Sequence, residues 1–172
     1  MVDAKEAFRD NPDIEVKSAL RGWICLCIAP MVELKEQVVE FFRSQMADLN
    51  EELCDRLCMA LDELLGNAIE HGCKLEPKCG CELTYIRTSR MVLIQIKDAG
   101  SGFALHALAH AALNNPPEDP LRHVELREQM GMRPGGFGIM IVKQIADDLI
   151  YNEQGNEVVF VKYLEQSVNG RS

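Results

Sequence analysis

Long apolar runs, basic runs, Cys-x-x-Cys pairs and internal repeats are all missing from this chain. No apolar stretch approaches the roughly 20 residues a bilayer-spanning helix needs, and the start, Met1-Val-Asp-Ala-Lys-Glu, lacks a signal-peptide pattern. The expectation is a soluble, cytoplasmic protein without a membrane partner. Lys and Arg total 18 against 27 Asp and Glu, a formal net charge of −9. No cationic stripe is therefore available to track phosphates along nucleic acid, and direct nucleic-acid binding is not expected. Seven cysteines make an odd number for a disulfide framework, and a 172-residue chain that is 47% hydrophobic does not need staples, so free thiols are expected. The nearest approach to a metal cluster, His71, Cys73, Cys79 and Cys81, lacks the paired spacing of structural zinc. Cys25 and Cys27 share one face of an apolar strand, and Cys54 and Cys58 lie one helical turn apart beside leucines; both pairs read as core packing.

What is present suits one domain, long enough to bury roughly two-thirds of its unfolded surface. Residues 1–20 are charged, weakly periodic and broken at Asn11-Pro-Asp13, which predicts a loosely held arm ahead of a domain over 21–172. An apolar run over 22–29 closed by Pro30 predicts a strand, and Leu34, Val38, Phe41, Phe42 and Gln45 recur at helical intervals after it. Asn50 is a plausible N-cap for a second helix. Its apolar stripe is Leu53, Leu57, Leu61, Leu64, Leu65, Ala68 and Ile69, and it ends near Gly72. Residues 81–88 and 91–97 read as a β-hairpin, residues 103–134 as a breaker-rich lid with helical patches at 104–113 and 122–130, residues 137–149 as a helix, and 149–152 with 157–164 as a second hairpin.

Three stretches carry the chemistry. On the second helix Glu63, Asn67 and His71 lie four apart and form a polar stripe beside the leucine face. Alone, that stripe is most simply a solvated helix face; functionally, Glu63 can accept a proton from a hydroxyl or water while the Asn67 oxygen ligates a hard cation held by phosphates. Asp98-Ala-Gly-Ser-Gly102 follows a strand directly. It is either a tight turn or a place where a flat ligand approaches the backbone, Asp98 accepting a hydrogen bond from an exocyclic amine such as that of adenine. Arg133-Pro-Gly-Gly-Phe-Gly138 precedes a helix, so its backbone N–H groups can cradle phosphates, with Arg127, Arg133 and Lys143 supplying positive charge nearby. It is not a P-loop, because no Gly-Lys-Ser/Thr follows.

In this order the three stretches resemble the N, G1 and G2 boxes of the GHKL ATPase superfamily. Glu-Leu-Leu-Gly-Asn-Ala-Ile-Glu-His-Gly and Gly-Gly-Phe-Gly-Ile-Met-Ile-Val look most like the bacterial anti-sigma factors that are serine-protein kinases, the likeness running from about Gly22 to Leu164. The resemblance implies a two-layer α/β sandwich of the GHKL (Bergerat) type, with helices on one face of a mixed, mostly antiparallel sheet. It implies ATP and Mg²⁺ as cofactors, Glu63 as general base, Asn67 as Mg²⁺ ligand and Asp98 as the adenine reader. Gly100 and Gly102 would shape the adenine pocket, Gly135, Gly136 and Gly138 would cradle phosphate, and Arg133 would be a lid residue at the terminal phosphates. It also implies a serine substrate on an anti-anti-sigma (STAS-type) protein, sequestration of an RNA polymerase sigma factor, and a possible homodimer. Two departures stand out: the last strand, Glu157-Val-Val-Phe-Val-Lys162, has no threonine where many relatives carry one near the adenine, and Ala104 stands where many have an acid. Other functional classes compatible with the same residues are a nucleotide-gated protein-binding module without turnover and a histidine-kinase-type catalytic domain acting in trans.

Overall fold

A computed structural model describes residues 2–102, 122–129 and 137–165. Its elements are α1 (Ala4–Ala7), β1 (Ile14–Leu20), β2 (Trp23–Ile28), α2 (Leu34–Gln45), α3 (Glu51–Gly66) continued by a π-helical turn (Asn67–Gly72), β3 (Cys81–Arg87), β4 (Met91–Asp98), α4 (Arg122–Gln129), α5 (Gly138–Ile145), β5 (Asp148–Tyr151) and β6 (Glu157–Tyr163). The strands form one six-stranded sheet in the order β1-β2-β3-β4-β6-β5. Every pairing among the described residues is antiparallel, in keeping with the mostly antiparallel sheet expected.

Period-two burial defines the two sides of the sheet. Ile24, Leu26 and Ile28, then Leu83 and Tyr85, then Val92, Ile94 and Ile96, then Val158 and Phe160 point inward. Against them lie the apolar stripes of α2 and α3: Val38 and Phe42 from one, Leu57, Leu61, Leu64, Leu65 and Ile69 from the other. Phe8, Phe41, Phe42 and Tyr85 form an edge-to-face and tilted series with ring centroids 4.9, 5.0 and 4.9 Å apart, linking the N-terminal segment through α2 to the middle of the sheet. Cys54 and Cys58 join this core as expected, whereas Cys25 and Cys27 are half-buried on the opposite sheet face.

The first twenty residues depart from the loose arm that was expected. Asp3 caps α1 by accepting from the N–H groups of Lys5 (2.8 Å) and Glu6 (3.2 Å), Phe8 is buried, and Gln45 Nε2 donates to the Val2 carbonyl at 2.8 Å. β1 then pairs along the whole of β2, the two joined at Arg21-Gly22, where Gly22 takes a positive φ of 78° that suits a tight hairpin. The order is tertiary: a free strand edge and a few widely spaced apolar side chains hold a segment with no strong periodicity of its own.

The second helix begins as expected, with Asn50 Oδ1 accepting from Leu53 N–H at 2.9 Å. Past Gly66 its hydrogen bonding widens, the Cys73 N–H reaching the Ala68 carbonyl five residues back at 2.8 Å. Such π turns are uncommon and concentrate at functional sites. This one carries Gly72 to the end of β4.

Candidate nucleotide site

Asp98 ends the core-facing row Val92, Ile94, Ile96 on β4, and only 5% of its surface is exposed. Its position is enforced from several directions. Gly100 N–H donates to Asp98 Oδ1 at 2.8 Å, the Asp98 N–H donates to the Asn156 carbonyl at 2.9 Å, and Asn156 Nδ2 donates to the Asp98 carbonyl at 3.0 Å. Asn156 is fixed in turn by Asn152, whose Nδ2 donates to Asn156 Oδ1 at 2.8 Å and whose Oδ1 accepts from the N–H groups of Gly155, Asn156 and Glu157. Burial pushes the Asp98 carboxyl above its ordinary value, opposed by the Gly100 and Asp98 N–H groups.

Glycine makes room for this arrangement. A Cβ on Gly72 would collide with the Asp98 carboxylate, one on Gly100 with the Gly72 carbonyl, and one on Gly102 with the Gln154 carbonyl. Gly102 also has φ +73°, which L side chains rarely adopt. Gly100 and Gly102 thus stand where the sequence pattern expects them, at the end of β4.

Asn67, the first residue of the π turn, lines the same small cavity as Asp98, together with Leu64, Ala68, Ile96 and Asn156. About 20 Å³ is open there, room for a water and not for a purine. Asn67 Nδ2 is buried and finds no hydrogen-bond partner among the described residues. An orphaned amide is costly in a fold unless a ligand or water completes it, and a half-turn about χ2 exchanges this donor for the carboxamide oxygen. A hard oxygen donor beside a carboxylate is suited to Mg²⁺.

One turn earlier, Glu63 is half-buried against the first residue of α5. Gly138 leaves the space that the Glu63 carboxylate fills: a Cβ there would meet Oε2. The carboxylate therefore lies at the positive end of α5, where an anion is favoured. Burial raises the Glu63 pKa, Asp62 and Glu70 raise it further, and Lys35 opposes them. Lys35 is itself held by Asp62 at 3.0 Å.

The structure thus joins Glu63 with Gly138, and Asn67 with Asp98, through consecutive turns of one helix. His71 is exposed and joins neither group. Arg133, Gly135 and Gly136 lie outside the described residues, as does the expected lid apart from α4, which matches the helical patch read at 122–130. Sequence reasoning missed Asn152 and Asn156. Two asparagines four apart in a hairpin turn were the available signal, since Asn side chains readily bond their own backbone.

A family model for the histidine kinase-like ATPase domain matches residues 31–162. The chain belongs to this family. Its fold is accordingly the α/β GHKL type, consistent with the helices packed on one side of the sheet. Within the family it is similar to the serine-protein kinase RsbW of Listeria monocytogenes serovar 1/2a, 25% identical over 121 residues that cover 70% of this chain and 72% of that protein. The serine-protein kinase RsbW of L. monocytogenes serotype 4a is 24% identical over the same shares. No helix among the described residues of this ATPase-family chain is long and apolar enough to cross a membrane.

Free thiols were expected, but Cys73 and Cys79 are joined in a disulfide. Counting cysteines missed it because the bond depends on the π turn and the loop after it, which bring residues six apart in sequence to a Cα separation of 5.3 Å.

Proposed function

We propose that the chain is an ATP-dependent serine-protein kinase acting as an anti-sigma factor, which phosphorylates a serine of a STAS-type anti-anti-sigma protein and sequesters a sigma factor in the cytoplasm. The kinase domain in this reading is the one expected over 21–172 together with the N-terminal segment that pairs onto its sheet, and it can form a homodimer. The observation that carries it is the placement of Glu63 in the space left by Gly138, one helical turn from an Asn67 that shares a cavity with Asp98. Family membership and the similarity to serine-protein kinases support the same conclusion.

The roles follow from the chemistry of the side chains. Asp98, ionised, accepts from the exocyclic amine of adenine, and its fixed backbone leaves the carboxylate little freedom to accommodate a base with an acceptor in that place. Asn67 presents its oxygen to Mg²⁺, which when bound neutralises charge on the phosphates. Glu63 takes the proton of the serine hydroxyl as that oxygen attacks the γ-phosphorus; the bond to the leaving ADP oxygen breaks, giving phosphoserine and ADP. Raising the Glu63 pKa by burial makes it a stronger base than an exposed carboxylate. Gly135, Gly136 and Gly138 supply backbone donors to the phosphates, and Arg133 supplies charge at the terminal one.

The test is transfer from γ-labelled ATP with Mg²⁺ into a cytosolic extract of the source organism, run beside Glu63→Ala. Acid-stable label on a small protein, absent with the variant, is the expected result. Acid-labile label would indicate histidine transfer in trans. ATP binding without any label would indicate a nucleotide-gated binding module.

A further inference from the structure

Three cysteines converge on the shell of Asp98. Cys73 and Cys79 are bonded, and Cys81 Sγ lies 3.7 Å from Cys73 Sγ. Two contacts connect this cluster to the candidate site. Cys73 directly follows Gly72, whose backbone packs against the Asp98 carboxylate and Gly100, and Cys81 stands opposite Asp98 in the β3–β4 register.

The loop closed by the bond is under backbone tension. Lys74 and Leu75 have φ values of 53° and 58°, a left-handed pair that non-glycine residues, and bulky ones above all, adopt reluctantly. It is held by Leu75 N–H to the Ile69 carbonyl (3.2 Å), Glu76 N–H to the Cys73 carbonyl (3.0 Å) and Cys79 N–H to the Glu76 carbonyl (2.9 Å), together with the disulfide. A bond spanning six residues restrains the unfolded chain little, because that benefit grows with loop length. Its restraint is instead local, on a loop that contains the left-handed pair and begins directly after Gly72, the residue packed against Asp98.

Access to the bond is one-sided. Cys79 is half-buried in an exposed loop, whereas Cys73 and Cys81 are buried. Burial, with a further contribution from the charge of Asp98, pushes the Cys81 thiol up to about 12, so it stays protonated near neutral pH and does not displace Cys79 from the bond.

We propose that Cys73–Cys79 is a reversible thiol–disulfide modification site, opened by a protein dithiol of the thioredoxin class, and that its opening lowers nucleotide affinity by releasing Gly72 from Asp98. The coupling rests on the nucleotide reading of the Asp98 site. In the opening step a thiolate of the dithiol attacks Cys79 Sγ; the bond to Cys73 breaks, and Cys73 leaves with the electron pair and takes up a proton. The second thiolate of the dithiol then attacks the mixed disulfide and frees Cys79 as a thiol. Two electrons and two protons pass to the protein, and the dithiol ends as a disulfide; an oxidised dithiol of the same class closes the bond by the reverse steps.

The experiment uses the full chain and follows two readouts separately: mass-tagged alkylation of each cysteine during titration with reduced thioredoxin, and affinity for a fluorescent ATP analogue with Mg²⁺ in both redox states. Under native conditions Cys79 should become alkylated while Cys81 stays protected. Affinity should fall by at least about fivefold on reduction, the lower end of ordinary allosteric couplings. Cys79→Ser, at a half-exposed position that tolerates the change, should show the reduced affinity throughout and ignore the dithiol; Cys25→Ser should respond like the parent. A bond that resists thioredoxin until the protein unfolds overturns the modification site. Equal affinities in the two states, or a redox response that persists in Cys79→Ser, overturn the coupling. Absence of nucleotide binding in both states, with Cys79 still cycling, overturns the nucleotide reading and the coupling together while leaving the thiol chemistry standing.

Discussion

Two polar groups face the same small cavity and are treated in opposite ways by the fold. Asp98 is held in place before any ligand arrives: its backbone N–H and carbonyl are paired with Asn156, its Oδ1 accepts from Gly100, and Asn156 is braced by Asn152. Asn67 is left with a buried donor that meets nothing among the described residues. A group whose backbone is fixed by internal partners belongs to the framework of a site, since its geometry exists before any ligand arrives. A buried donor left incomplete in the same cavity costs folding free energy and returns it only when something binds. Substitutions in the Asp98 framework should therefore damage the fold and binding together, whereas substitutions along Glu63 and Asn67 should damage function and spare the fold.

The largest effect is expected at Glu63. Glu63→Gln preserves size and should reduce phosphoryl transfer by about 10²–10⁴-fold, the usual contribution of a general base, with nucleotide affinity little changed. Single-turnover transfer beside equilibrium ATP binding separates the two. A variant with full transfer would remove Glu63 from the chemistry. Its stability should move the other way. Folding raises the Glu63 pKa, so the charged form is the penalised one, and the favourable contribution of the protonated carboxyl is complete below the unfolded value and lost as pH rises through the folded one. At neutral pH Glu63→Gln should melt no lower than the parent.

On the framework side, Gly100→Ala forces a Cβ onto the Gly72 carbonyl, which is backbone and cannot rotate away. A loss of roughly 1–3 kcal/mol is expected, as for other overpacked sites, together with weaker ATP binding. Asn156→Ala should cost a similar or slightly smaller amount, about 1–3 kcal/mol, by leaving the buried Asp98 carbonyl without its side-chain donor. Denaturant unfolding measures both. If Asn156→Ala folded and bound ATP like the parent, Asn156 would be a bystander and not the brace for Asp98.

This division of labour was only partly legible beforehand. The N-cap at Asn50, the leucine stripe of α3 and the two hairpins were readable because each is specified by residues within one or two turns or one strand length of one another. Glu63, Asn67, Asp98, Gly100 and Gly102 were readable as types in a pattern, and the structure brings Asn67 together with Asp98. What escaped was non-local. β1 forms because the edge of β2 is open, the Cys73–Cys79 bond forms because the helix widens after Gly66, and Asn156 matters because β6 lies beside β4. None of these is encoded in a window of a dozen residues. The missing threonine of the last strand was visible, but the asparagine pair that braces Asp98 emerged only when the hairpin turn was placed against the end of β4.

A smaller effect concerns pH. The acid limb of the transfer rate should fall above 4.5, the ordinary value for Glu63, because burial and the neighbouring Asp62 and Glu70 charges raise it. Removing one of those charges with Asp62→Asn should move the limb toward lower pH, and Lys35→Met, which removes the opposing charge, should move it higher. A pH–rate profile of the three proteins checks the order. Coincident limbs would mean that another group carries the proton.

The smallest effect on folding, and the sharpest test of the contrast, is at Asn67. Asn67→Leu removes the orphaned donor, fills about the same volume and has the better helix propensity. Thermal stability should therefore hold or rise, by about 0–1 kcal/mol, even though the half-buried position follows directly on the core residues of α3. The same change deletes the oxygen proposed for Mg²⁺, so the dependence of ATP affinity on Mg²⁺ should disappear while binding in the presence of a chelator stays as in the parent. A clear loss of stability would mean that Asn67 is completed inside the protein and belongs with the Asp98 framework. The two halves of the cavity would then be one structural network, and the ligand-completed side would reduce to Glu63 and Gly138.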